Sequence, residues 1–516
     1  MPSTLTAAAL LALLLASCDD GSKDDTGPAD DSDADADSDG DSDTDADADT
    51  DADTDADTDA DADTDADTDT GSCLEGTIDL STADARLDGV KMEDCTGSAL
   101  AVGDLDGDGR QDLALGAPCH DAFGAVNAGG VWVSPGLWSG VVDLEAAGHF
   151  LTGSLEYMSA GSALAVGDMD GDGQDDLAVG TPSGYGSNPG LLYAIPGPIE
   201  TDLDLAGAGG TLEGPVDSQL GRVLALGDLS GDGRLDLALG VPNMAVEHGS
   251  DGRVYVVEPP LSGTPSLSSA LATVSGSSQG GLGSSVVVAD FDDDGVDDLL
   301  AGAPLEGGFL KHRTYEGGAW LLPGPLSGDL TETDGIHLDS STYGEFAGST
   351  LASGDIDGDG QADALVSGGE TMWGDIPGRV YLVLGPITDR LTLSEADGYL
   401  EETSSDNGDV SSLSTGDVDA DGFDDILVGF WENDLGGRDA GAAFLLYGPV
   451  SGTIDLSTSP AILVGEDSDD EAGGDGLLWD LQADGFDDVV VSASGVDEGA
   501  WDAGAAYVLY AADCKD

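Results

Sequence analysis

The sequence predicts an all-β fold, a seven-bladed β-propeller preceded by a leader and an acidic linker. Three observations carry this. A nine-residue acidic loop recurs seven times at near-constant spacing. Each copy sits in the same order of short apolar strands. Glycine is abundant, at 80 of 516 residues, while aromatics make up only 5%. A fixed period repeated this often marks a repeat architecture and overrides a domain count taken from length.

The chain begins MPSTLTAAALLALLLASC, and its apolar run from Leu5 to Ala16 is too short to span a bilayer but suits a signal-peptide core. The end of that run, Leu15 to Cys18, resembles the lipobox of bacterial lipoproteins. The resemblance implies a diacylated Cys18 as the mature N-terminus, anchored at the outer membrane or cell surface of a bacterium. An ordinary secretory signal is the alternative, and both readings export the chain.

Residues 19–72 are almost wholly Asp, Ala and Thr, with 25 Asp against one base, Lys23. Like charges at every second position repel, and nothing apolar is available to bury, so this linker is expected to be disordered and extended. The chain as a whole has 105 acids, 13 bases and a net charge of −92. That balance excludes nucleic acid, which needs cations to displace counterions, and electrostatic docking on anionic lipid. The N-terminal lipid is then the only expected membrane contact. Without residues 1–72, 80 acids and 12 bases remain, so the body at 73–516 is acidic in its own right.

The acidic loops start at Asp104, Asp168, Asp228, Asp290, Asp355, Asp417 and Asp480, spaced 60–65 residues apart. In the first unit an alternating strand, Ser98–Val102, runs into the loop, and a second strand, Leu113–Ala117, follows it. A third strand comes next, as in GGVWVSPG, GLLYAIPG and GRVYVVEP. A fourth, weaker strand such as Val141–Leu144 then leads to the next copy. Short strands with Gly-rich turns and no helical periodicity fit four antiparallel strands per blade.

The two ends suggest how the ring closes. GTIDLST opens the repeats at Gly76–Thr82 and recurs at Gly452–Thr458, whereas the last unit stops after Tyr507–Tyr510 with no fourth strand. Thr77–Leu80 is therefore expected to pair with the unit containing Ala505–Tyr510, removing the exposed edges at the junction. Four body cysteines allow three pairings. Cys73 with Cys514 would latch the ring, and Cys95 with Cys119 would staple the first unit.

Numbered from its first Asp, each loop presents oxygen donors at positions 1, 3, 5 and 9 and a backbone carbonyl at position 7. The first two ligand sets are Asp104, Asp106, Asp108, Arg110, Asp112 and Asp168, Asp170, Asp172, Gln174, Asp176. The third and fourth are Asp228, Ser230, Asp232, Arg234, Asp236 and Asp290, Asp292, Asp294, Val296, Asp298. The fifth and sixth are Asp355, Asp357, Asp359, Gln361, Asp363 and Asp417, Asp419, Asp421, Phe423, Asp425. The last is Asp480, Gln482, Asp484, Phe486, Asp488. Position 6 is Gly in all seven, which permits a sharp turn. Hard oxygen donors without His or Cys select Ca²⁺. Five loops carry the full carboxylate set; Ser230 and Gln482 each remove one charge, so five firm and two weaker sites are expected. An EF-hand would need Glu at position 12, where Leu115 and Val179 stand instead.

This DxDxDGxxD loop between two strands, followed by Gly-Ala-Pro at Gly116–Pro118 and Gly302–Pro304, resembles the FG-GAP repeat of the integrin α-chain propeller and its bacterial relatives. The last three copies depart, with Ser367–Gly369, Gly429–Trp431 and Ser492–Ser494 in place of Gly-Ala-Pro. The resemblance spans roughly residues 76–512. It implies a seven-bladed propeller with Ca²⁺ between the first two strands of a blade and ligand recognition on the opposite face.

That opposite face carries the variable loops Asn243–Asp251, Leu305–Gly317, Glu370–Pro377 and Phe430–Ala440. Lys311, Arg313, Tyr315, Trp373, Trp431 and Trp501 are its ligand-contact candidates, since variable loops on a rigid scaffold are where binding concentrates. The five His residues occupy unrelated repeat positions, and no nucleophile elbow, phosphate loop or zinc motif occurs. The expected protein is a monomeric, surface-tethered, calcium-binding propeller that binds an extracellular protein or glycan in adhesion, and not an enzyme. The alternatives are a structural envelope protein with no ligand, or a calcium-dependent hydrolase.

Overall fold

The computed structural model describes residues 74–512, apart from 123, 183–188, 208, 217, 243–250, 262, 264, 278–279, 308–314, 370–376, 404–408 and 498–502. Seven sheets account for every named strand. Blade 1 runs Leu100–Gly103, Asp112–Gly116, Gly130–Ser134 and His149–Thr152, each antiparallel to the last. The innermost strands touch in sequence around a closed circuit. Leu100–Gly103 meets Ala163–Gly167, which meets Val223–Gly227, and so on to Ala472–Trp479, which returns to Leu100–Gly103. The fold is a seven-bladed β-propeller.

The middle strands are buried along their whole length, as in Asp112–Gly116 and Gly130–Ser134. Each blade is pressed between two neighbours, so its central strands need apolar side chains on both faces and read as near-continuous hydrophobic runs. The outermost strands alternate or are largely exposed, as in Ala85–Asp88 and Gly140–Asp143. Small residues let the blades approach. A Cβ on Gly116, for example, would stand 2.0 Å from the carbonyl oxygen of Gly161 in the connection between blades 1 and 2.

Two expectations about the outer strands are corrected. The fourth strand of blade 1 is His149–Thr152, not Val141–Leu144. The Gly140–Asp143 segment instead leaves its own blade and pairs in parallel with Ala85–Asp88 of blade 7. It is a fifth strand laid on the preceding blade. Equivalent parallel strands cap blade 1 (Leu203–Asp204), blade 3 (Gly328–Thr331), blade 4 (Leu391–Thr392), blade 5 (Gly452–Asp455) and blade 6 (Gly76–Asp79). After it the chain makes one tight helical turn before entering its own blade. Asp79, Asp143 and Asp455 each cap this turn by accepting the N–H of the residue two places on. Leu80, Leu144 and Leu456 anchor it in the core at no more than 1% exposure. Asp-Leu after a short exposed strand is thus a cap-and-anchor signature, not the end of a fourth strand.

The ring closure is corrected for the same reason. Thr77–Leu80 does not pair with the last unit; Gly76–Asp79 lies parallel to Ala461–Val464 of blade 6. Closure is made by the next strand, Ala85–Asp88, which pairs antiparallel with Ala505–Leu509, Ala85 opposite Val508 and Asp88 opposite Ala505. Blade 7 therefore takes three strands from the C-terminal end and one from the N-terminal end. Arg86 on the closing strand also reaches Glu466 at 3.1 Å, tying it to the exit of blade 6. The two GTIDLST segments do play identical roles, as fifth strands on blades 6 and 5.

Candidate metal centres

Each acidic loop joins the first and second strands of a blade, so all seven lie at one end of the ring. The loops share one hydrogen-bond scheme. The position-1 carboxylate accepts the N–H of the position-6 glycine, from Gly109 to Asp104 at 3.0 Å through Gly485 to Asp480 at 3.0 Å. The position-5 carboxylate accepts the position-7 N–H, as from Arg110 to Asp108 at 2.9 Å. The position-6 glycines have φ between 84° and 92°, the left-handed region that glycine enters without strain. Position 4 is also left-handed, including at Asp293, Ala420 and Ala483. Two left-handed residues flanking position 5 curl the loop so that alternate side chains face inward. The position-2 residue, among them Leu105, Phe291 and Ile356, is fully buried and pins the loop to the core.

Five loops bring three carboxylates to within 4.8 Å of one another: Asp104, Asp106, Asp108; Asp168, Asp170, Asp176; Asp290, Asp292, Asp294; Asp355, Asp357, Asp359; and Asp417, Asp419, Asp425. These are the five loops whose sequences carry the full carboxylate set. No such group forms at Asp228 or Asp480 among the described residues; in the first of these the Ser230 hydroxyl donates to Asp228 at 3.3 Å. The donor set is oxygen alone. In three clusters a buried carboxylate oxygen, Oδ1 of Asp104, Asp292 or Asp355, has no hydrogen-bond partner. Converging anions with orphaned buried oxygens suit a hard cation and are costly without one.

Position 9 has a second task. Its carboxylate is buried at the start of the second strand, with Asp112, Asp298, Asp425 and Asp488 at 0% exposure. One oxygen accepts N–H groups from positions 2 or 3, and the other accepts an N–H from the turn after the third strand. Examples of the latter are Gly136 to Asp112 at 3.0 Å and Gly448 to Asp425 at 2.7 Å. Burial, and secondarily the nearby carboxylates, pushes Asp112 up to about 6 and Asp425 to about 7. Position 9 therefore binds the two turns of a blade together, and only Asp176 and Asp425 also join a carboxylate triad.

Sequence reasoning missed position 8. Where it is Asp, its carboxylate crosses to the preceding blade and accepts the N–H of that blade's position-1 Asp. The distances are 2.9 Å for Asp104 to Asp175, 2.7 Å for Asp228 to Asp297, 2.8 Å for Asp355 to Asp424 and 2.9 Å for Asp417 to Asp487. The receiving blade carries glycine just before position 1, at Gly103, Gly227, Gly354 and Gly416, where a Cβ would stand no more than 2.8 Å from that oxygen. Position 8 is Gln111, Leu235 or Ala362 at the other three seams, opposite Trp479, Gly167 and Ala289. The pairing of Gly in one repeat with Asp in the next was the available signal.

The described part of the opposite end is well packed. Cys95 and Cys119 form a disulfide with Cα atoms 5.6 Å apart. Beside it, buried His120 stands 3.0 Å from Asp94 and 3.2 Å from Lys91. Tyr315 stacks on Phe346 with centroids 5.2 Å apart. Trp431 is half-buried, and its backbone N–H donates to Ser411 Oγ. His337 stacks on Trp320 and bonds Glu306 at 2.8 Å. Phe430 is the last residue of a buried strand rather than part of a loop. The leader with Cys18, the linker, Cys73, Cys514, Lys311, Arg313, Trp373 and Trp501 lie outside the described residues.

Residues 96–134, 160–194, 220–257 and 282–322 match the FG-GAP repeat family. Among curated proteins, a phosphatidylinositol-glycan-specific phospholipase D of Rattus norvegicus is 36% identical over 173 residues, 31% of this chain and 20% of the relative. Integrin alpha pat-2 of Caenorhabditis briggsae is 30% identical over 234 residues, 42% of this chain and 18% of the relative. Human integrin alpha-IIb is 38% identical over 122 residues, 22% of this chain and 12% of the relative. The matched stretch thus spans a fifth or less of these longer relatives. A solved structure described as "Structure of Dos1 propeller" covers 80% of this chain and 82% of its own at 13% identity and a TM-score of 0.42. The relatives include an enzyme by name as well as integrin chains. The matched repeats fall in the first four blades, and over them the chain is similar to the FG-GAP repeat family and to integrin α chains.

Proposed function

We propose that this chain is a calcium-binding, exported propeller that presents the end away from its acidic loops to an extracellular protein or glycan, in adhesion. The observation that carries the reading is the convergence of three carboxylates in each of the five loops with intact sequence, some with buried oxygens that lack any partner. Oxygen-only donors in a flexible loop suit Ca²⁺, whereas Mg²⁺ would retain more water. The residues at positions 1, 3 and 5, with position 9 in two loops, would hold the ion and relieve the repulsion between neighbouring carboxylates. Its role at each blade is structural, fixing the turn between two core strands, and the similarity to integrin α chains supports recognition at the other end. By this reading Cys18 supplies a lipid anchor and residues 19–72 the tether.

Calcium titration of the chelator-treated protein, followed by calorimetry and thermal unfolding, tests the metal part. Five strong sites are expected, each adding about 2.7 kcal/mol at a hundredfold excess over its Kd. Two or fewer ions bound at millimolar free calcium would sink the reading. A protein and glycan array run with and without chelator tests the recognition part. An empty array favours a structural envelope role.

A further inference from the structure

Blade 3 carries a cavity on its outer flank. It has a volume of about 420 Å³ and is lined by Arg253, Tyr255, Ser268, Thr273 and Asp329, among others, within the usual ~300–1,000 Å³ of ligand pockets. The aromatic residue of each third strand shows how the flank is normally closed. Opposite it on the fourth-strand position stand Phe150, His337, Tyr399, Ile462 and Arg86 in blades 1, 4, 5, 6 and 7. In blade 3 the residue opposite Tyr255 is the much smaller Thr273. Blade 2 also has a threonine, Thr211, but Leu191 stands where blade 3 has its arginine.

Blade 5 is the direct control, because it repeats the same Arg-Val-Tyr segment at Arg379–Tyr381. There Arg379 is paired with Glu401 at 2.7 Å, lies 3.7 Å from buried Glu345 and stacks 4.5 Å from the ring centroid of Tyr399. Two of these partners are missing in blade 3. Ser275 replaces Glu401 in the ladder, and Thr273 replaces Tyr399. Among the described residues Arg253 meets no carboxylate. Its contacts are the Tyr255 hydroxyl, 3.3 Å from Nη1, and the ring of the same residue at 5.7 Å. In a chain with 105 acids and 13 bases, an arginine that meets no carboxylate among the described residues and borders an open cavity is suited to an external anion.

The rest of the lining narrows the ligand. Ser268, Thr273 and Tyr255 supply hydroxyls, and exposed Asp329 stands opposite Thr273 on the fifth strand. Asp329 accepts hydroxyl protons but repels a second negative charge, so phosphate and sulfate are disfavoured. A single carboxylate on a polyhydroxylated ring satisfies both the cation and the acceptors, and the planar guanidinium matches a carboxylate in bidentate fashion. We propose that the blade 3 cavity is a subsite for an acidic sugar residue, its carboxylate paired with Arg253 and its hydroxyls held by Thr273, Ser268 and Asp329. The site lies on a blade flank, apart from the acidic loops and from the loop-end recognition proposed above.

The test uses the full chain in calcium, titrated with glucuronate, glucose and acetate by calorimetry or NMR. Glucuronate is expected to bind in the millimolar range, with glucose and acetate each about tenfold weaker or more, equivalent to ~1.4 kcal/mol. Arg253→Gln should weaken glucuronate by a similar factor. Thr273→Tyr, which copies blade 5, should abolish binding while leaving the melting temperature and the calcium stoichiometry unchanged. No glucuronate binding by the parent at tens of millimolar, acetate binding as tightly as glucuronate, or indifference to both substitutions overturns the proposal. Because calcium stoichiometry is read in the same samples, failure here is distinguishable from failure of the metal reading.

Discussion

The two ends of the blades obey different rules. At the acidic end seven loops repeat one scheme of left-handed turns and Asp-to-N–H bonds, down to the same donor and acceptor positions. At the other end, blade 1 has a disulfide, blade 4 a His–Trp stack and blade 6 a loop closed by Arg438 on Asp469. The acidic loop is a local solution, complete within nine residues, so repetition preserves it intact. The described far loops share no such scheme: the blade 6 loop is bonded within itself, Asp439 N–H to Asp434 at 2.7 Å, whereas Tyr315 of blade 4 stacks on Phe346 in the connection to blade 5. Conserved geometry at one end and divergence at the other is the arrangement expected when one end maintains the scaffold and the other is free to acquire contacts.

The comparison can be broken most severely at the ring junction, which serves both ends. Deleting residues 74–88 removes the closing strand of blade 7 and the fifth strand of blade 6. Cooperative unfolding should be lost, as followed by calorimetry. Leu87→Ala, at a fully buried position of the closing strand, should cost about 2–4 kcal/mol in denaturant unfolding. A truncated chain that unfolds with unchanged cooperativity would show that the blades are independent.

A smaller effect is expected at the seams of the acidic end. Asp424→Ala and Asp487→Ala each leave the N–H of a position-1 Asp without its acceptor and should cost about 1–2 kcal/mol. Gln111→Ala, at a seam with no such bond, should stay within about 0.5 kcal/mol. Equal costs for all three would mean that the inter-blade bonds contribute nothing to the ring.

A pH-dependent effect concerns a buried carboxylate beside the far loops. Glu332, 2% exposed, accepts the N–H of Ser277 at 3.0 Å and is also bonded by the Ser277 hydroxyl. Burial first, and then the charge of Glu306, raises it from 4.5 to about 7. A raised carboxylate favours the protonated fold, so its stability contribution is present below about 4.5 and is lost as pH rises through about 7. Glu332→Gln should therefore unfold at a higher temperature than the parent at pH 8 and lose that advantage at pH 5. A difference independent of pH would refute the assignment.

Much of this was legible in the residues. The repeat number, the seven loops, the five intact carboxylate sets and the two central strands of each blade follow from patterns confined to a dozen neighbouring positions. The outer strands were not. Val141–Leu144 and GTIDLST read as fourth strands because alternation reveals which side chains share a face but not which backbone lies alongside. Arg253 was equally silent, since Arg-Val-Tyr in blades 3 and 5 differs only through residues some twenty positions away.

By itself, then, the sequence determined the period, the turn chemistry and the donors at each loop, because these depend on local backbone sterics and on side chains within one turn. Only the tertiary structure decided which strand closes the ring, which aspartates bridge blades and which flank stays open. Those outcomes depend on pairing every sheet edge and filling every seam at once, and a closed circle of seven blades sets that condition where no single repeat can.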